Sequence, residues 1–144
     1  MNMEQMFEFV GNHPFLWMGF ATVLVMLIKS EYESRTNQSV HINPMNAIRL
    51  INNNDDALII DVRTSAEFGK GHIRGARNMP LSTLKDKLDS LSQNKDAAIL
   101  AYCNSGATSS SACRVLSRAG FSNVHNVAGG INAWLEAKLP ITTK

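Results

Sequence analysis

Cys103 closes an apolar run, Ala97-Ala98-Ile99-Leu100-Ala101-Tyr102, and opens a small-residue loop, Asn104-Ser105-Gly106-Ala107-Thr108-Ser109. A patterned stretch from Ser110 to Ala119 then reads as a helix. A thiol at the carboxyl end of a strand, facing a helix amino-terminus, sits where backbone N–H groups converge and the helix dipole is positive. Such a setting favours thiolate over thiol, and open α/β sheets bind their ligands at the same place. The pattern predicts a cysteine nucleophile. The loop N–H groups of Asn104 to Ser109 would form an anion nest around it, Gly106 would allow an unusual backbone angle, and the hydroxyls of Ser105, Thr108 and Ser109 would be at hand. The second cysteine, Cys113, falls inside the helix and reads as a buried structural thiol rather than a resolving one.

Positioning such a loop needs a sheet, and the sequence supplies its parts. Val40-His41-Ile42 reads as a short strand, and Asn43-Pro44 as the cap and first position of a helix carrying Met45, Ile48, Leu50 and Ile51. Asn52 to Asp56 reads as a turn. Ala57 to Val62 is a continuous apolar run, as in a parallel strand covered on both faces. Leu81, Leu84, Leu88 and Leu91 recur at helical spacing, with Lys85, Asp86, Lys87 and Asp89 outward. Residues 123–127 form another short strand, and Gly129-Gly130 lead into a last helix with Ile131, Trp134 and Leu135 on its core face. The alternation predicts an α/β domain with a mainly parallel sheet flanked by helices. Asp61 and Arg63 end a strand near the same sheet edge and could steer substrate, but read rather as a fold-holding pair or cap. Glu67 and His72 read the same way, structural before substrate-steering, while Arg74 and Arg77 could lend positive potential but read as solvated surface.

Composition narrows the function classes. The 144 residues carry 14 Lys and Arg against 12 Asp and Glu, a net +2 without a basic cluster, which argues against nucleic-acid binding. Two cysteines do not make a disulfide framework and fit a reducing compartment. The four histidines, at 13, 41, 72 and 125, are scattered, so no metal and no cofactor is expected.

Residues 9–29 form a different kind of segment: uncharged from Phe9 to Ile28, densely apolar from Phe15, with Trp17 near one end. About 20 residues suffice to cross the ~30 Å hydrocarbon core. A signal peptide would show a basic leader and a small-residue cleavage site, whereas Glu4 and Glu8 lead here and Lys29-Ser30-Glu31-Tyr32 follow. An interfacial helix would show a charged face. The expected layout is a tail over 1–8, a transmembrane anchor over 9–29, a polar linker over 30–39 that could begin as a short helical extension of the anchor, and a domain over 40–144. Lys29 and Arg35 follow the span and no Lys or Arg precedes it, which places the amino-terminus outside and the domain in the cytoplasm. Gly11 and Gly19 do not form a GxxxG, so the oligomeric state is left open.

Three separated stretches together resemble the rhodanese family: Leu58-Ile59-Ile60-Asp61-Val62-Arg63 with Glu67, Gly71-His72-Ile73, Gly75-Ala76 and Pro80; the loop Tyr102-Cys103-Asn104-Ser105-Gly106; and Val127 to Trp134 followed by Pro140. The likeness covers roughly residues 40 to 143. With the anchor, the chain is similar to single-domain, membrane-bound members in the bacterial inner membrane. The resemblance implies a sulfurtransferase in which Cys103 carries a sulfane sulfur as a persulfide, from thiosulfate or another persulfide to a thiol or cyanide. Many rhodaneses have a basic residue five positions after the cysteine; here Thr108 stands there, which favours a persulfide donor. Two rivals are weighed. A phosphatase-like or arsenate-reducing enzyme would want an arginine clamp in the loop, where Thr108 and Ser109 stand. A tethered interaction module assisting another membrane protein would not need the thiol.

Overall fold

The computed structural model describes residues 14–36 and 39–144. The expected tail, the first five residues of the expected anchor (9–13) and linker residues 37–38 lie outside them. The chain divides into two compact units, one ending at Arg35 and one running from Thr36 to Lys144.

The first unit contains helix α1, Pro14–Thr36. Pro14 occupies its first turn, where a missing N–H removes no helical hydrogen bond. Its 23 residues rise about 34 Å at the usual helical pitch, and the helix runs on through residues 30–36 of the expected linker. Side chains from Phe15 to Ile28 are exposed around the helix, and Trp17 meets Phe20 edge to face at 6.0 Å. The stretch Pro14–Glu31 is long and apolar enough to cross a membrane by length and composition, a property that a signal sequence shares.

The second unit is built on five parallel strands: β1 (Val40–Ile42), β2 (Leu58–Asp61), β3 (Ala76–Asn78), β4 (Ile99–Tyr102) and β5 (Val124–Val127), in the order β1-β5-β4-β2-β3. Helices α2 (Pro44–Asn53), α3 (Ser65–Lys70), α4 (Leu81–Lys87) and α5 (Ala107–Arg118) lie in the connections between strands, and α6 (Gly130–Glu136) follows β5. Asn43 caps α2 as expected, accepting the Asn46 N–H at 2.8 Å.

Strands β2 and β4 are buried along their whole length, because their side chains alternate between two cores. Leu58, Ile60, Ile99 and Ala101 point into one core with Leu84, Leu91, Ala112 and Leu116. Ile59, Leu100 and Tyr102 point into the other with Ala47, Ile131 and Trp134. A sheet apolar on both faces requires a helical layer on each, and the crossover helices together with α6 supply them.

Two boundaries differ from expectation, and two elements are new. Helix α2 runs to Asn53 and takes in the start of the expected turn. The leucine-spaced helix changes at Leu88 into a 3₁₀ segment ending at Asn94; this tighter winding still buries Leu91 fully. Edge strand β3 and short helix α3 were not foreseen.

Strand β5 carries a pH-sensitive group. His125 on β5 meets the Asn123 Oδ1 through Nε2 at 2.6 Å, while its Nδ1 is buried without a partner. Burial lowers its pKa below the ordinary value. A depressed folded value means that stability is present above the unfolded pKa of ~6.5 and is lost as pH falls through the folded one. Thermal melts between pH 7 and 5 should show a falling midpoint whose slope is reduced in His125→Gln. An equal slope in the two proteins would remove His125 as the cause.

Candidate active site

The register of the sheet brings the site together. Asp61 of β2 pairs with Tyr102 of β4, so Val62, Arg63 and Cys103 emerge side by side past the strand ends. Beyond Cys103 the chain turns through Asn104, Ser105 and Gly106 and enters α5. Gly106 is the cap residue, at φ 93. A Cβ there would lie 3.2 Å from both the Val127 carbonyl oxygen and the Gly129 nitrogen, so both its angle and its space select glycine. Ala107, Thr108 and Ser109, expected in the loop, form the first turn of α5 instead. The helix thus begins three residues early, and its free N–H groups are brought closer to the sulfur.

The Cys103 sulfur lies at the bottom of this turn, the residue only 4% exposed. The Gly106 N–H donates to Sγ at 3.1 Å, and the Ser109 hydroxyl lies 3.3 Å from it. Burial alone would raise the thiol's pKa, but hydrogen bonds from the Ser109 hydroxyl and from the backbone of Ser109, Gly106 and Ser105 outweigh it, and the net shift is downward. Cys113 behaves oppositely. It is fully buried, and burial together with the nearby Cys103 pushes its thiol up to about 12. Its sulfur faces the His125 carbonyl at 3.7 Å, as befits a structural thiol.

A cavity of about 350 Å³ opens over the sulfur, lined by Val62, Arg63, Thr64, Glu67, Cys103, Asn104, Ser105 and Thr108. Of the seven expected site residues, Cys103, Asn104, Ser105 and Thr108 form its wall. Gly106 and Ser109 support the sulfur from behind, and Ala107 is exposed outside it. Ser109 is fully buried, which corrects the expectation that its hydroxyl would be at hand for a substrate. The cavity's far wall comes from Arg63, Thr64 and Glu67, of which Arg63 and Glu67 had read as structural first and substrate-steering second. Glu67 is tied to the loop by Asn104 Nδ2 at 2.6 Å and completes a capping box with Thr64 at the start of α3. The hydrogen bonds from Asn104 and then Thr64 hold its carboxyl down at about 2. The Thr64-x-x-Glu67 spacing was the signal that could have revealed it.

Arg63 forms the cavity's second charged wall, yet Asp61 already neutralises it. Its Nε donates to Asp61 Oδ1 at 3.0 Å and its Nη2 to Oδ2 at 2.6 Å. The same Nη2 reaches the Gly71 carbonyl at 2.7 Å. Burial pulls the guanidinium down, but Asp61 outweighs it and the pKa is raised. His72 secures the turn after α3, with Nδ1 3.0 Å from the Phe68 carbonyl and its ring stacked on Phe68.

The loop is also stitched from the other side. The carbonyls of Cys103 and Asn104 accept the N–H groups of Ile131 and Asn132, at 2.8 and 3.2 Å. This approach is possible only because residue 130 is glycine: a Cβ there would collide with the Cys103 oxygen and lie 2.6 Å from the Asn104 carbonyl. The Gly129-Gly130 turn therefore anchors the nucleophile loop.

These features define a cysteine-centred α/β domain, with the thiol cradled by main chain at a parallel sheet's carboxyl edge. A family model described as the rhodanese-like domain matches residues 44–137, and the chain belongs to the rhodanese family. It is 31% identical over 140 residues to the protein YibN of Escherichia coli strain K12, covering 96% of this chain and 97% of that one. It is 38% identical over 87 residues to a protein of Allochromatium vinosum named a sulfurtransferase, covering 60% of this chain and 79% of the other. Among solved structures, a rhodanese-related protein from Thermoplasma volcanium matches with a TM-score of 0.64 and 30% identity, covering 73% of this chain and 99% of that one.

Proposed function

We propose that this chain is a sulfurtransferase anchored by residues 9–29 in the bacterial inner membrane, with its domain on the cytoplasmic side and Cys103 as the sulfur carrier. The observation that carries this reading is the sulfur at the cavity floor, receiving the Gly106 N–H at 3.1 Å with Ser109 at 3.3 Å. In the first step the Cys103 thiolate attacks the outer sulfur of the donor. A sulfur–sulfur bond forms at Sγ, the donor's own bond to that sulfur breaks, and the leaving group departs with the electron pair. The leaving group is sulfite from thiosulfate, or a thiolate from a persulfide. In the second step an acceptor thiolate or cyanide attacks the carried sulfur and the Cys103 thiolate leaves. Both steps move negative charge over sulfur atoms that main-chain N–H groups face, so no general base is required.

The charges at the cavity support a persulfide donor over thiosulfate. Glu67 is ionised, Arg63 is paired with Asp61, and Thr108 brings no cation, so a dianion meets no unpaired positive partner among the lining residues. The test is mass spectrometry of the full chain in detergent after exposure to thiosulfate or to glutathione persulfide. One added sulfur atom on the peptide holding Cys103, more rapidly from the persulfide, is the expected result. No added sulfur from either donor would overturn the reading.

A further inference from the structure

Asn126 takes no part in any chemistry described so far, yet it is fully buried on β5 beneath the nucleophile loop. Its side chain makes three contacts. Nδ2 donates to the Gly106 carbonyl at 2.9 Å, Nδ2 also lies 3.1 Å from His41 Nδ1 on the neighbouring strand β1, and Oδ1 receives the Ser109 hydroxyl at 2.6 Å. The Gly106 carbonyl can only accept, so the amide's orientation is fixed: NH₂ toward the loop, oxygen toward Ser109. Two of its partners, Gly106 and Ser109, are the residues that touch the Cys103 sulfur.

We infer that Asn126 is a positioning residue, which holds the Gly106 amide and the Ser109 hydroxyl in register around the Cys103 sulfur. This rests on Cys103 being the reactive thiol. Ser109 has one hydroxyl proton and two takers. While that proton points to Asn126, the Ser109 oxygen turns a lone pair to the sulfur and suits a protonated thiol. When the sulfur is an anion, the proton turns to it and the Asn126 oxygen is released. The amide oxygen gives up this proton as the sulfur ionises and so senses which form the sulfur takes, while its NH₂ holds Gly106 in both forms. Asn126→Ala removes that hold on Gly106 and Ser109, and its loss outweighs the loss of a rival acceptor. Other titratable or charged groups nearby are Cys113 on α5, Arg63 over Asp61 and Glu67 in the cavity wall, and His41 beyond the amide.

The test uses the full chain in detergent micelles with Cys113→Ser as background, and reads the pH dependence of Cys103 alkylation. Asn126→Ala and Ser109→Ala should each slow alkylation at least about fivefold at a pH below the midpoint, a shift in ionisation rather than stability alone. The double variant should be no slower than the slower single one, because loss of Asn126 already misplaces the hydroxyl that Ser109→Ala removes. Effects that multiply, or a lowered melting midpoint with an unchanged alkylation profile, would overturn the inference. A second measurement needs no variant at Asn126. With asparagine ¹⁵N-labelled, its side-chain amide resonances should shift with the Cys103 midpoint in the His41→Gln background and stay still when Cys103→Ser is added. Resonances that ignore the thiol's ionisation would also overturn it. Neither readout involves sulfur transfer, so failure of the proposed activity leaves this result independent.

Discussion

Replacing Cys103 with serine should abolish the proposed sulfur transfer and leave the fold in place. Turnover with glutathione persulfide or thiosulfate should fall at least about a thousandfold, the scale on which loss of a nucleophile acts. A serine hydroxyl is not ionised near neutral pH and cannot form a persulfide. The substitution is nearly isosteric, and the Gly106 N–H and Ser109 meet an oxygen where they met a sulfur, so the melting midpoint should stay close to that of the parent. Cys113→Ser is the control: its sulfur is fully buried and its thiol is held up at about 12, so turnover should persist. Full turnover in Cys103→Ser would sink the sulfur-carrier reading. A cellular phenotype that survives while turnover is lost would instead favour the tethered interaction module.

The largest effect on stability should come from Asp61→Ala. Asp61 is fully buried and Arg63 nearly so, and the pair shares charge-assisted bonds at 2.6 to 3.1 Å. Removing the carboxylate leaves a guanidinium in the low-dielectric end of the sheet, which destabilises by about 3–5 kcal/mol. For a domain of this size the melting midpoint falls by more than about 10 °C. The double replacement Asp61→Leu with Arg63→Met should be milder than Asp61→Ala, since it removes both charges together. Chemical denaturation measures each. A loss below about 1 kcal/mol for Asp61→Ala would mean that the pair behaves like an exposed one.

The central strands and the nucleophile were legible because their signals are local. Ala97 to Tyr102 is an unbroken apolar run, and only a strand covered on both faces accommodates one of that length next to a polar turn. The start of α5 was not legible. Ala107-Thr108-Ser109 reads as loop because threonine and serine compete with helical hydrogen bonds, and it is packing against β4 and β5 that winds them. Strand β3 is three residues with a half-exposed pattern, too short for periodicity to register. Asn126 was invisible for another reason: its partners, His41 and Ser109, lie 85 and 17 positions away. Strand order alone brings them together, and no window on the sequence reports strand order.

The carbonyls on either side of the Cys103–Asn104 bond are laced to α6, so the backbone beneath the sulfur has no slack with which to follow a visitor. On the proposed function, a molecule exchanging sulfur here would have to bring its reactive atom down to a fixed point between Arg63, Glu67 and Thr108. That favours sulfur borne on a slender, projecting stem over sulfur set flush in a broad surface. Selectivity of this kind would come from reach and girth and would not require recognition of the carrier's identity.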